Sequence, residues 1–178
     1  KHKDEVLKNL SNDSLNYITH ARQENTYLVY VRAKGYIYKD TLIHIPNAAA
    51  ELTYTIPLSA LQKEMVLQLR NIQFDHNSSV LTPSSYAELD KLVKLMQDNP
   101  SMQIELSAHT DDVGSEQYNL RLSQQRGESV RKYLIRKGVD AKRIIAKGYG
   151  KNKPLVPNDS DENRAINRRV EFTINEIE

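Results

Sequence analysis

The chain has 178 residues, 27% charged and 39% hydrophobic, with a formal net charge of +2, which excludes compositional disorder and permits one large domain or two small ones. It contains no cysteine, so disulfides, thiolate metal sites and a thiol nucleophile are excluded. So small a net charge gives no argument for nucleic acid, although Lys and Arg become denser from Arg121 onward, where solvated helix faces account for most of them.

The chain opens at Lys1 without Met, as expected of a fragment or a processed product. No apolar run approaches the roughly 20 residues of a membrane helix, so any signal, lipid-bearing cysteine or membrane attachment is expected in parts absent from this chain. The first 20 residues settle on neither a helical nor a strand period. Residues 1–60 nevertheless read as a β-rich module. Tyr27, Val29 and Val31 alternate with Leu28, Tyr30 and Arg32, and the pattern resumes at Tyr36-Ile37-Tyr38 and Thr41 to Ile45. Gly35, Lys39-Asp40 and Pro46-Asn47 punctuate these runs. Leu52 to Leu58 reads as a further strand that Pro57 confines to an edge. Three or four such strands suggest a small β-sandwich, and Leu58 to Glu64 reads as the linker.

Residues 61–178 follow another grammar. Met65 to Phe74 is a predicted strand, and Thr82-Pro83 starts a helix with Thr at the N-cap and Pro at the first position. Tyr86, Leu89, Leu92, Val93 and Met96 give it an apolar stripe, and Asn99-Pro100 stops it. Met102, Ile104, Leu106 and Ala108 alternate with polar residues in a second strand. A second helix starts near Ser115, keeps its apolar side through Val130, Tyr133 and Leu134, and ends at Gly138 as a left-handed cap. Arg143 to Tyr149 and Val170 to Ile174 complete the strands, with a long polar loop, Lys151 to Arg169, between them. The order β-α-β-α-β-β predicts an α+β sandwich with helices on one face of the sheet.

Chemistry concentrates between Ser107 and Arg126. Asn119, Leu122, Ser123 and Arg126 share one helix face, and Asp111 lies in the turn before that helix. A carboxylate and a guanidinium converging from two elements suit a zwitterionic amino-acid head, Asp111 taking the ammonium and Arg126 the carboxylate. Asn119 can donate and accept, and Leu122 can cover aliphatic carbon. The spacing equally permits Asp111 to cap the helix or to pair with Arg126. A metal-dependent hydrolase would draw on His109, Asp111, Asp112 and His76, yet there is no H-E-x-x-H and no dedicated base. His109 fits better as a structural residue with its ring bonded to backbone. No catalytic residue, metal or cofactor is expected. Arg164, Arg168 and Arg169 form the sharpest basic cluster, open to a salt-sensitive contact with an anionic polymer.

Residues from about 70 to 174 resemble the OmpA-like C-terminal domain. The resemblance runs through Ile72-Gln73-Phe74-Asp75, His109-Thr110-Asp111-Asp112-Val113-Gly114, Tyr118-Asn119, Leu122-Ser123, Arg126, Gly148-Tyr149-Gly150 and Asn167-Arg168-Arg169-Val170-Glu171. It implies a non-catalytic module that binds the diaminopimelate residue of peptidoglycan stem peptides. It carries the family's ligand contacts onto Asp111, Arg126, Asn119, Leu122 and Arg168, with Asp75 and His76 from the loop after the first strand and the backbone of Asp112 and Val113. Arg164 and Arg169 take structural or loop-anchoring roles. Gly127 stands where the family has Ala and Asn163 where it has Gly; Asn163 is expected to keep a left-handed turn. The first 60 residues resemble the tail of a carboxypeptidase-regulatory-like β-sandwich through Tyr27 to Tyr36. That layout is similar to envelope proteins of Bacteroidetes, some in gliding or type IX secretion assemblies. It implies a periplasmic protein associated with the outer membrane, with other envelope proteins and no nucleic acid as further partners.

Overall fold

The structure, a computed structural model, describes residues 24–47, 52–75 and 77–177. Its elements are β1 (Asn25–Val31), β2 (Lys39–Ile45), β3 (Val66–Leu69), α1 (Tyr86–Asp98), β4 (Gln103–His109), α2 (Glu116–Arg136), β5 (Ile144–Gly150), α3 (Asp161–Asn167) and β6 (Val170–Glu176). The chain divides into two compact units, Lys1–Tyr30 with Asp40–Ile56, and Val31–Lys39 with Pro57–Glu178. No described helix is long and apolar enough to cross a membrane.

In the larger unit the period-two pattern of β4 places Ile104, Leu106 and Ala108 on one face, all at 1% exposure or less. Its neighbours are β5, parallel, and β6, antiparallel, with β3 added to the far side of β6. Phe172 and Ile174 of β6 and Ile144 of β5 extend the same apolar face. Leu89, Leu92, Val93 and Met96 of α1, with Val130 and Leu134 of α2, cover it and close one core. The architecture is therefore α+β, with the two long helices on one face of the sheet.

Local signals set the ends of these helices. Thr82 precedes a 3-10 turn, Pro83–Ser85, that leads into α1. Arg143 closes the other end: its Nε donates to Met102 O at 2.9 Å, and its Nη2 donates to Met96 O at 2.8 Å and Asn99 O at 2.7 Å. A guanidinium there satisfies carbonyls that a helix end leaves without partners. In α2, Ser115 Oγ accepts from Tyr118 N at 3.2 Å. Gly138 (φ +93°) ends the helix in the left-handed conformation, with Val139 N donating to Leu134 O at 3.1 Å.

Several expectations change. The strand expected over Met65 to Phe74 ends at Leu69, because Asn71 turns to φ +58°, and Phe74 keeps only an isolated bridge to Leu81. Leu52 to Leu58 joins no ladder, in keeping with the missing N–H of Pro57. The stretch read as linker is partly built in: Leu61 is 8% exposed and its N–H donates to Gly35 O at 2.8 Å. Residues 31–39 and 57–60, read as part of the N-terminal module, therefore pack within the larger unit. Gly35 N donates to the buried Asn99 Oδ1 at 2.7 Å, and Ile37 N to Ser59 O at 2.9 Å. The smaller unit shows one two-stranded sheet, β1-β2, among its described residues. A second sheet facing it, which the sandwich resemblance implies, is not among them; residues 1–23 and 48–51 lie outside the description.

The polar loop also contains α3, started by Ser160, whose Oγ accepts from Asn163 N at 3.1 Å. Asn163 thus lies in a helical first turn and not in a left-handed one.

Two glycines on the α2–β5 contact behave oppositely. A Cβ on Gly127 would meet Ala146 Cβ at 3.5 Å, ordinary contact distance, whereas one on Gly148 would penetrate the backbone of Gln124. Gly127→Ala should stabilise the protein by up to about 1 kcal/mol. Gly148→Ala should destabilise it by about 2 kcal/mol or more through forced separation of helix and strand. Thermal melts of the two variants check both signs.

Candidate functional site

The site grows from the end of β4. Thr110 N donates to Gly150 O at 2.9 Å, after which Asp111 to Ser115 cross to α2. Gly114 takes φ +94°, a conformation that glycine adopts without steric penalty. Asn119, 2% exposed, donates its side-chain amide to Val113 O at 3.0 Å. It holds this loop from the inside. Leu122 is likewise buried, at 8% exposure, while Val113 is 64% exposed.

Asp111 is engaged at both oxygens. Oδ1 accepts from Val113 N at 3.2 Å and Oδ2 from Arg168 Nη1 at 2.7 Å. It neither caps α2, a role taken by Ser115, nor forms an ion pair with Arg126. Arg168 becomes its partner because α3 ends beside the loop. The same helix brings Arg164 Nε to Asp112 Oδ1 at 3.2 Å, and Arg164 Nη1 to Asp161 Oδ1 at 3.0 Å.

Arg126 is held by the segment after β3. Its guanidinium carbon lies 4.9 Å from the centroid of the Phe74 ring, and its Nε donates to Ser78 O at 3.0 Å. A tight loop presents that carbonyl: Asp75 N donates to Val80 O and Ser78 N to Asp75 O, each at 3.1 Å. Asp75 is exposed at the head of the loop, and His76 lies outside the described residues. Burial holds the Arg126 guanidinium below its ordinary range; Tyr118 and Asp111 oppose that shift and Arg168 adds to it. It remains cationic at neutral pH. Among the described residues its two Nη groups have no hydrogen-bond partner, so the fork is available to a carboxylate.

The structure thus brings Asp111, Arg126 and Arg168 into mutual electrostatic reach. It places Asn119 behind the loop, buries Leu122 and commits the Asp112 side chain to Arg164. Sequence reading missed Phe74 and Ser78 as the support of Arg126, and Lys151, which reaches the Asp111–Ser115 loop. An arginine pair at i and i+4, Arg164 and Arg168, was a usable signal for one helix face addressing the loop. Lys151 carried none. Among the described residues no group of three His, Cys, Asp or Glu side chains could hold a metal.

On the sheet face opposite the helices lies a buried polar cluster. His109, 2% exposed, stacks on Tyr149 at 5.3 Å and shares a 3.2 Å hydrogen bond with Glu171 through Nε2. Its ring partner is therefore a carboxylate and an aromatic face, not backbone as expected. Arg169 Nε donates to the other Glu171 oxygen at 3.0 Å. Burial pushes His109 down to about 4, assisted by Arg169 and opposed by Glu171. A neutral native imidazole set against an unfolded one near 6.5 contributes stability above pH 6.5 that is lost as pH falls toward 4. Between pH 7.5 and 5 the loss should be about 2 kcal/mol. Denaturation curves at both pH values should show that difference shrinking in His109→Gln.

The OmpA family model matches residues 73–168. Outer membrane porin F of Pseudomonas fluorescens is 38% identical over 104 residues, 58% of this chain and 32% of that protein. The peptidoglycan-binding protein ArfA of Mycobacterium tuberculosis is 35% identical over 104 residues, again 58% and 32%. The crystal structure of the peptidoglycan-associated lipoprotein from Burkholderia pseudomallei superposes with a TM-score of 0.55 at 30% identity, covering 58% of this chain and 87% of that one. The chain spans about a third of the length of these two curated relatives.

Proposed function

The chain belongs to the OmpA family, and on that premise we propose that its larger unit is a peptidoglycan-binding module that anchors an envelope complex to the cell wall. The module is non-catalytic. The ligand is the free head of a diaminopimelate residue in an uncrosslinked stem peptide. Asp111 takes its ammonium, and the Nη fork of Arg126 takes its carboxylate. Arg168, already paired with Asp111, adds positive charge at the carboxylate end. The exposed Val113, the backbone of Asp112 and Val113, and Asp75 complete the mouth, while Asn119 acts from behind and Leu122 is buried. The observation that carries this reading is the fork of Arg126, without a hydrogen-bond partner among the described residues and held on Phe74 and Ser78 within the field of the Asp111 carboxylate.

Two kinds of support meet here. The residues form a cation–anion–cation set, and similar proteins are named for peptidoglycan binding. The location that follows is the periplasm, in association with the outer membrane. The load is an envelope assembly of the gliding or type IX secretion class, a reading supported by the N-terminal sequence layout alone. One head-group site gives modest affinity, since charge-assisted hydrogen bonds contribute roughly 1.5–3 kcal/mol each; a wall of repeated stems supplies avidity.

Arg126→Lys keeps the charge but loses the fork, and Asp111→Asn keeps the shape but loses the charge. Each should weaken co-sedimentation with purified sacculi at least tenfold, the equivalent of about 1.4 kcal/mol, with little change in thermal melting. Capture by both variants equal to wild type, and collapsing with salt, would instead mark a non-specific contact between the basic surface and an anionic polymer.

A further inference from the structure

Lys151 sits just beyond β5, where the chain is pinned on both sides. Gly150 N donates to Ser123 Oγ at 2.8 Å, Gly150 O accepts from Thr110 N at 2.9 Å, and Asn152 N donates to Tyr149 O at 3.2 Å. A Cβ at Gly150 would stand 3.0 Å from Leu120 N, so the turn lies directly against the first turns of α2. From there the Lys151 ammonium reaches the recognition loop, donating to Gly114 O at 3.1 Å and to Asp112 O at 3.4 Å.

The consequence follows from peptide geometry. In a planar trans peptide the C=O of one residue and the N–H of the next point in opposite directions. Drawing the Asp112 carbonyl toward Lys151 turns the Val113 N–H the other way, and that N–H donates to Asp111 Oδ1 at 3.2 Å. Asn119 fixes the following peptide through Val113 O at 3.0 Å, and Lys151 the one after it through Gly114 O. Three successive peptide planes are therefore set from two sides. Arg164 keeps the Asp112 side chain out of the way.

We propose that Lys151 is a positioning residue for recognition: it holds the Asp112–Gly114 backbone so that the Val113 amide keeps the Asp111 carboxylate in its ligand-binding orientation. This role rests on the peptidoglycan reading above. Lys151 touches no part of the ligand and acts through the loop.

The full chain carrying Lys151→Met, Lys151→Arg, Lys153→Met or Arg126→Lys provides the test, with wild type beside them. Without ligand, backbone order parameters of Val113 and Gly114 should fall from about 0.85 to below about 0.6 in Lys151→Met. Those of Leu106, and the thermal melt, should stay unchanged. If the binding-competent loop drops to roughly a tenth of the population, sacculus capture weakens about tenfold. Lys151→Arg should restore part of both readouts, and Lys153→Met, whose ammonium lies over Tyr149, should alter neither. An ordered loop in Lys151→Met overturns the proposal. So does a disordered loop with full capture while Arg126→Lys fails to bind. Full capture by Arg126→Lys as well would instead sink the head-group reading, and the positioning role with it.

Discussion

Everything at the site depends on how closely α2 lies against the edge strand β5. An edge strand exposes unpaired backbone groups, which proteins cover or blunt. Here α2 covers them with side chains. Arg131 Nε donates to Ile144 O at 2.9 Å, and Gln124 donates to Ala146 O at 3.1 Å while accepting from Gly148 N at 2.8 Å. Ser123 accepts from Gly150 N one step further along. The pattern repeats every second residue, as an added strand would, but it comes from a helix. Glycine at 148 permits the approach, because any side chain there would enter the helix backbone. With the strand end fixed, Gly150 meets Thr110, and the loop carrying Asp111 starts from a known place.

The elements legible in the sequence were those with strong periodicity. α1, α2, β4 and β6 each bury one stripe or one face; Asn-Pro ends α1, and Ser115 and Gly138 bound α2, at the positions read, whereas Pro83 opens a 3-10 turn ahead of α1. α3 was missed because it has no apolar stripe; its only fully buried residue is the polar Asn167, whose side chain satisfies the backbone of Leu155, Val156 and its own loop. The overlong first strand was an error of period, since the apolar positions 65, 67 and 69 lose their phase at Arg70-Asn71, where the backbone turns left-handed, before Ile72 and Phe74 resume it. At the site, Asp111 and Arg126 stood out by type and spacing. Their supports did not. Arg168 lies 57 residues from Asp111, and Ser78 lies 48 from Arg126; only the folded sheet brings such pairs together.

The charges divide by burial. Exposed pairs such as Arg164–Asp161, whose aspartate side chain is 95% exposed, add little to stability. The more enclosed groups differ in kind. Arg126 is desolvated yet keeps its Nη groups unpaired among the described residues, a state the protein tolerates because the Phe74 ring and the Ser78 carbonyl compensate part of the lost hydration. On the opposite sheet face, His109 and Arg169 share Glu171, and the His109–Glu171 bond ties the end of β4 to the start of β6 next to the same loop. Adjacent residues of the chain thus serve different carboxylates, Arg168 pairing with Asp111 and Arg169 with Glu171.

The segment Val31–Lys39 belongs to the larger unit although it interrupts the smaller one. Gly35 completes the buried Asn99 and Arg32 pairs with Asp98 at 2.9 Å, across a sequence separation of 64 residues in the first case. At translation rates of 5–20 residues per second, that separation is roughly 3–13 s of synthesis. During that interval Gly35 and Ile37 can meet only Leu61 and Ser59, and the contacts with Asp98 and Asn99 must wait. The first residues of the larger unit therefore complete their contacts only after much later ones exist, and the two units, interleaved in sequence, cannot be inherited or exchanged as consecutive beads on a string.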